Sequence, residues 1–199
     1  MGNEETANGA YVLVGDHLAL DLLNTQSGMG EAEVELWQTG AQVVAWCRAN
    51  GIAPARDSSL DDQAALLGAA HQLRAIARQL IEAEKAGQGG DATRLNPYLA
   101  ANLSARAVVK NSDGAARLVR TARADAATQL LGALAESVAE LLCEGEFALV
   151  KQCEHPDCIQ WFYDRTKAHR RRWCSMAVCG NRFKAAQFRK NAAAAATKP

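Results

Sequence analysis

Apolar positions in the first 150 residues recur mainly at the spacing of helix turns, interrupted twice by short β-prone runs. Over residues 35–50, Leu36, Val43, Val44 and Trp46 mark one inward face, and Gly51 stands just past the end, where helices commonly close. A longer stripe of Leu66, Leu67, Ala70, Leu73, Ile76, Ala77, Leu80 and Ile81 predicts a helix ending at Lys85. Ser58 or Ser59 is its expected cap, with Asp61 and Asp62 in the first turn, where the helix dipole favours anions. Gly87-Gln88-Gly89-Gly90 stops it, and Asp91 is placed to cap a further helix to about Leu103. A last long helix is expected over 125–143, turning Leu130, Leu131, Leu134, Val138, Leu141 and Leu142 inward. Two segments predict hairpins instead: 11–14 with 17–20 around Gly15-Asp16, and 106–110 with 116–120 around Asn111-Ser112-Asp113-Gly114. No internal repeat is present, and the alanine-rich residues 192–199 form an expected disordered tail.

Beyond residue 150 this periodicity gives way to a pattern of side-chain chemistry. Cysteines fall at Cys153-x4-Cys158-x15-Cys174-x4-Cys179, two close pairs around a hairpin-length insert. Each pair supplies two thiolates from one tight turn, which together complete a tetrahedral Zn²⁺ site. Disulfides are the competing reading. The polar opening MGNEETANGA carries no export signal, so a reducing cytoplasm is expected, where such thiols bind metal more often than they pair. His155 and His169 stand beside a complete cysteine quartet and are not needed as ligands. Cys47 and Cys143 lie in apolar helical segments and read as small buried side chains. In the finger, 160–164 and 170–173 are expected to pair as strands, Ser175 to cap a helical turn, and Cys179 to open a helix over 181–190. The fold class is then α+β: a mainly helical N-terminal domain with short β-hairpins over 1–150, and a small treble-clef-like zinc finger over 151–191.

Charge separates the same two parts. The chain of 199 residues has a formal net charge of zero, yet residues 1–150 hold 11 Lys/Arg against 19 Asp/Glu, and 151–191 hold 10 against 3. Only the C-terminal part is suited to a polyanion. With 49% hydrophobic residues a packed core is affordable, and no continuous apolar run approaches the ~18 residues of a membrane span. No phosphate-binding glycine loop, HExxH motif or nucleophile elbow appears, and a Cys₄ site has no open coordination position, so catalysis is not expected.

The run Arg172-Trp173-Cys174-Ser175-Met176-Ala177-Val178-Cys179-Gly180-Asn181-Arg182 resembles the signature of the CGNR zinc-finger proteins, whose tetrapeptide stands intact at 179–182. Phe162-Tyr163-Asp164-Arg165 fits the same pattern; Phe183 departs from it where a smaller residue is usual. Upstream, Leu18-Ala19-Leu20-Asp21-Leu22-Leu23-Asn24-Thr25 is similar to the opening of the ABATE domain. The resemblance covers most of the chain and implies a bacterial, cytoplasmic, stress-linked transcription regulator.

Nine cations are candidate DNA contacts: Arg165, Lys167, Arg170, Arg171 and Arg172 on the insert, and Arg182, Lys184, Arg189 and Lys190 on the terminal helix. Arg182 is the candidate for a bidentate contact to guanine. The plainer alternatives are a solvated face, or a dock for the protein's own acidic part. Asn181 suits a brace for the zinc turn as well as a base contact. Trp161-Phe162-Tyr163 suits a small core around the metal better than a base-stacking platform. In the N-terminal domain Asp21, Asn24, Thr25 and Trp37 are candidate pocket residues for a small-molecule effector, although caps and a buried indole would explain them equally. The expected function is transcription regulation by a zinc-dependent DNA-binding protein, with an N-terminal domain that senses a ligand or forms a homodimer. The alternative is a zinc-finger adaptor for an acidic protein, or an RNA binder.

Overall fold

A computed structural model describes residues 13–29, 32–53 and 63–196. In chain order its elements are α1 (Leu18–Leu23), β1 (Gln26–Met29), β2 (Ala32–Glu35), α2 (Gly40–Ala49), α3 (Gln63–Lys85), a 3₁₀ turn (Ala92–Leu95), α4 (Asn96–Ala101), β3 (Ser104–Lys110), β4 (Ala116–Ala122), α5 (Ala126–Glu144), β5 (Val150–Gln152), β6 (Trp161–Tyr163), a π-helical turn (Met176–Gly180) and α6 (Asn181–Ala196). All three strand pairs are antiparallel and two-stranded: β1 with β2, β3 with β4, and β5 with β6.

The chain divides into two units, but not at residue 150. One unit takes the described residues up to Leu36 together with those from Glu146 onward; the other is Trp37–Gly145. The N-terminal segment therefore belongs with the finger, and the helical unit is inserted between two halves of the metal-bearing one.

Within the inserted unit the helical stripes are buried as their spacing requires. Leu66, Ala70, Leu73, Ile76, Ala77, Leu80 and Ile81 of α3 are buried, as are Leu130, Leu131, Leu134, Val138 and Leu141 of α5. Trp37 and Trp46 meet edge to face at 5.3 Å, and the Arg74 guanidinium lies 5.6 Å over Trp37. Thr39 and Gln42 form a reciprocal capping box that starts α2 at Gly40, five residues later than the periodicity suggests, because Glu35 is in β2. Asp91 and Asp125 cap the 3₁₀ turn and α5. The expected caps of α3, Ser58 and Ser59, lie outside the described residues. By length and composition α5 could cross a membrane, but its buried stripe makes it a core helix. Cys47 is buried and its thiol is pushed up to about 12 by that burial; Cys143 is exposed, contrary to expectation.

The first expected hairpin does not form among the described residues. Leu18–Leu23 is helix, and His17 starts it by accepting the Ala19 amide at its Nδ1. Four of its six residues are Leu, and only Leu18 escapes burial, so packing and propensity agree on helix. Tyr11 and Val12 are outside the described residues. A hairpin does follow at β1–β2, where Gln-Ser-Gly-Met carries no β-prone pattern to announce it.

Candidate metal centre and basic face

The β5–β6 hairpin forms the first half of the centre. Its connection carries Cys153 and Cys158 and is closed by the Cys153 amide donating to the Gln160 carbonyl. Cys174 precedes the π-helical turn and Cys179 lies near its end; Ser175 caps the turn by accepting the Val178 amide at 3.4 Å. Residues 170–173 are not a strand, correcting the expected pairing with 160–164. Two hydrogen bonds take them elsewhere: Glu154 N to the Arg172 carbonyl and Arg171 N to the Asp164 carboxylate.

All four sulfurs lie within 4.8 Å of one another and are buried. Cys158 and Cys174 are 3.7 Å apart, Cys174 and Cys179 3.6 Å. A tetrahedron with Zn–S bonds of about 2.3 Å has edges of about 3.8 Å, so the quartet fits one zinc ion. The Cys174 amide also donates to Cys153 Sγ at 3.4 Å, the kind of contact that fixes a ligand's orientation. Val14, Phe162 and the half-buried Trp173 pack around the quartet, so the aromatic run supplies core. Neither histidine joins it: His155 Nδ1 contacts the Asp157 amide and His169 Nδ1 the Asp164 carbonyl oxygen.

The tetrapeptide at 179–182 has three separable structural tasks. Cys179 is a ligand. A Cβ on Gly180 would sit 2.4 Å from Met176 Sδ and 3.2 Å from Trp173, so any larger residue here has to push the exposed Met176 side chain aside. Asn181 Nδ2 donates to the Ala177 carbonyl and braces the turn, as its plainer reading holds. Arg182 is exposed at the start of α6.

Residues 14–25 complete this centre, which sequence reasoning missed. Along β6, Trp161 and Tyr163 turn their backbone polar groups to the edge away from β5. Asn24 satisfies both groups of Trp161, donating to its carbonyl and accepting its amide at 2.8 Å each, while the Gly15 carbonyl accepts from Tyr163. A side-chain amide thus does the work of a neighbouring strand. Gly15 must be glycine here, since a Cβ would lie 2.8 Å from the Asp21 backbone nitrogen. Asp21 accepts the Gly15 amide; burial pushes its carboxyl up to about 6, which that hydrogen bond only partly offsets.

These contacts correct the expected pocket. Asp21, Asn24 and Thr25 are buried and tied to Gly15, Trp161 and Leu22, whereas Trp37 belongs to the other unit. They fix the fold around the metal.

Asp164, fully buried, is a second structural hub. Burial alone would raise its carboxyl, but Lys151 Nζ at 2.7 Å, the Thr166 hydroxyl and the Thr166 and Arg171 amides hold it well below the carboxylate range. A depressed pKa means stability present at neutral pH and lost as acid protonates the group. Asp164→Asn is expected to cost about 3 kcal/mol at pH 7 in denaturant titration, with a smaller difference in acid. A loss below about 0.5 kcal/mol would remove Asp164 from this role.

The nine candidate cations divide. Arg171 is committed inside: it donates to the carbonyls of Val14, Trp173 and Cys174 and to Asp16, and stacks 4.3 Å over Phe162. Its role is that of a clamp, which corrects its place among the DNA contacts. Arg165 donates to the Asp16 carbonyl yet stays exposed, and Arg172 pairs with Glu154 while lying 4.8 Å over Trp173. Trp173 stacks on Phe183 at 4.8 Å, so the departing residue of the signature packs back on the finger. Lys167, Arg170, Lys184, Arg189 and Lys190 are exposed, with no ion pair among the described residues. Arg182, Arg189 and Lys190 line a groove of about 570 Å³ between α6 and the turn at His155-Pro156-Asp157. Residues 192–196, expected to fray, continue α6, as alanine's high helix propensity favours; residues 197–199 lie outside the described residues.

A family model described as ABATE, "putative stress-induced transcription regulator", matches residues 16–145, and a CGNR zinc-finger model matches 150–192. A search of curated proteins gives no significant match.

Proposed function

Because the chain belongs to the ABATE family and ends in a CGNR zinc finger with one structural zinc site, we propose that it regulates transcription in the cytoplasm by binding duplex DNA, without catalysis. The observation that carries this reading is α6. Its side chains are exposed from Lys184 through the last one described, Ala192, and it presents four cations while its first turn is anchored to the zinc ligand Cys179. A rigid, cationic helix with a fixed base suits a groove lined by phosphates. The inserted unit is assigned effector sensing or dimerisation.

One observation favours a protein partner instead. Phe188, on the same helix, is 75% exposed, and an exposed aromatic among cations also suits an acidic, partly apolar peptide. Competition separates the two: tight retention on one DNA site over excess random duplex supports regulation, and equal weak binding favours the adaptor. Arg182→Ala with Lys184→Ala is expected to flatten the salt dependence of log K by roughly two if both touch phosphate. An unchanged slope would clear α6 of the role.

A further inference from the structure

The β3–β4 hairpin carries charge and apolar surface for which the inserted unit has no internal use. Every residue from 108 to 118 is exposed, so the outer half of the ribbon stands clear of the helices, and no third strand joins it among the described residues. Its register sets Val108 opposite Leu118, and these remain 70% and 61% exposed. Side chains alternate across a strand, so Arg106, Val108 and Lys110 share the outer face, while half-buried Ala105, Ala107, Val119 and Thr121 are on the reverse. Residues 103–123 contain five cations against Asp113 alone; the rest of Trp37–Gly145 holds 6 Lys/Arg against 10 Asp/Glu. Arg106, Lys110, Arg117 and Arg123 are exposed and unpaired by any acid among the described residues. A solubilising face would have no need of an apolar pair at its centre.

We propose that this ribbon is a second contact for duplex DNA, in which Arg106 and Lys110 meet backbone phosphates and the Val108–Leu118 pair on the same face lies against the sugars. The inference rests on the DNA-binding reading above and adds a contact outside the finger. A second copy of the chain is the poorer occupant, because stacking two outer faces sets Arg106 and Lys110 against their own kind.

The test uses the zinc-loaded full chain and a fluorescent random duplex of about 20 base pairs, titrated at several salt concentrations. Replacing Arg106 and Lys110 together by Ala is expected to weaken low-salt binding about tenfold and to flatten the salt slope by roughly two. Arg106→Lys with Lys110→Arg retains the charge and most of the affinity. A double variant that binds like the parent overturns the ribbon contact while the α6 variants still report on the finger; a parent that binds no duplex overturns both. A photo-crosslinking residue at Leu118 is expected to capture DNA. Capture of a second copy instead, or of nothing, counts against the proposal.

Discussion

Replacing Cys179 by Ser is expected to dismantle the metal-bearing unit while leaving the inserted helices folded. Three thiolates cannot close the tetrahedron, and zinc binding supplies folding free energy on the order of 10 kcal/mol in small metal domains. The core around the quartet, Val14, Phe162 and the half-buried Trp173, is too small to replace it. In hydrogen exchange, amides of β5, β6 and the π-helical turn should approach unfolded rates, while those of α3 and α5 stay protected by their own buried stripe. Parent protein should carry about one zinc per chain; a value near zero in reduced, chelator-free material would end the zinc reading. Zinc affinity should fall as pH falls. Without metal, contact with Cys158 and burial hold the Cys174 thiol high, and burial pushes Cys179 up to about 12, so ligation must expel protons.

The second large effect concerns a fragment. Residues 146–199 alone span the matched CGNR finger but lack Val14, Gly15, Asp16 and Asn24. They lose the two Asn24 bonds to Trp161, the Gly15 bond to Tyr163, and the Arg171 bonds to Val14 and Asp16. Each buried hydrogen bond is worth about 1 kcal/mol net, more where a buried group is left orphaned. The fragment is therefore expected to bind zinc roughly a hundred- to a thousandfold more weakly than the full chain, and a peptide of residues 13–36 should restore part of the loss. Asn24→Ala in the full chain tests the same point, at an expected cost of about 2–4 kcal/mol to the metal-bearing unit. Equal zinc affinity of fragment and full chain would show that the finger stands alone.

The metal centre was legible in the sequence because thiolate spacing is a local property, and the quartet closes from two short turns each bounded by its own cysteines. The helices α3 and α5 were legible for a similar reason: each repeats its apolar stripe over several turns. What was hidden depends on distant residues. Asn24 meets Trp161 across 137 positions, and Arg171 meets Val14 across 157. No spacing rule links such pairs, so Asn24 read as a pocket residue and Arg171 as a DNA contact. His17 to Leu20 was misread because a short apolar run suits strand or helix until its neighbours are known, and here His17 decides it from one position.

The order in which the ribosome releases this chain follows from the discontinuous metal unit. Residues 37–145 emerge complete and can fold early, whereas segment 14–36 must wait until Cys179 has been synthesised before its partners exist. Metal capture is then the last event of maturation, and a nascent chain cut short before its C-terminal cysteines carries a finished helical body with no metal site.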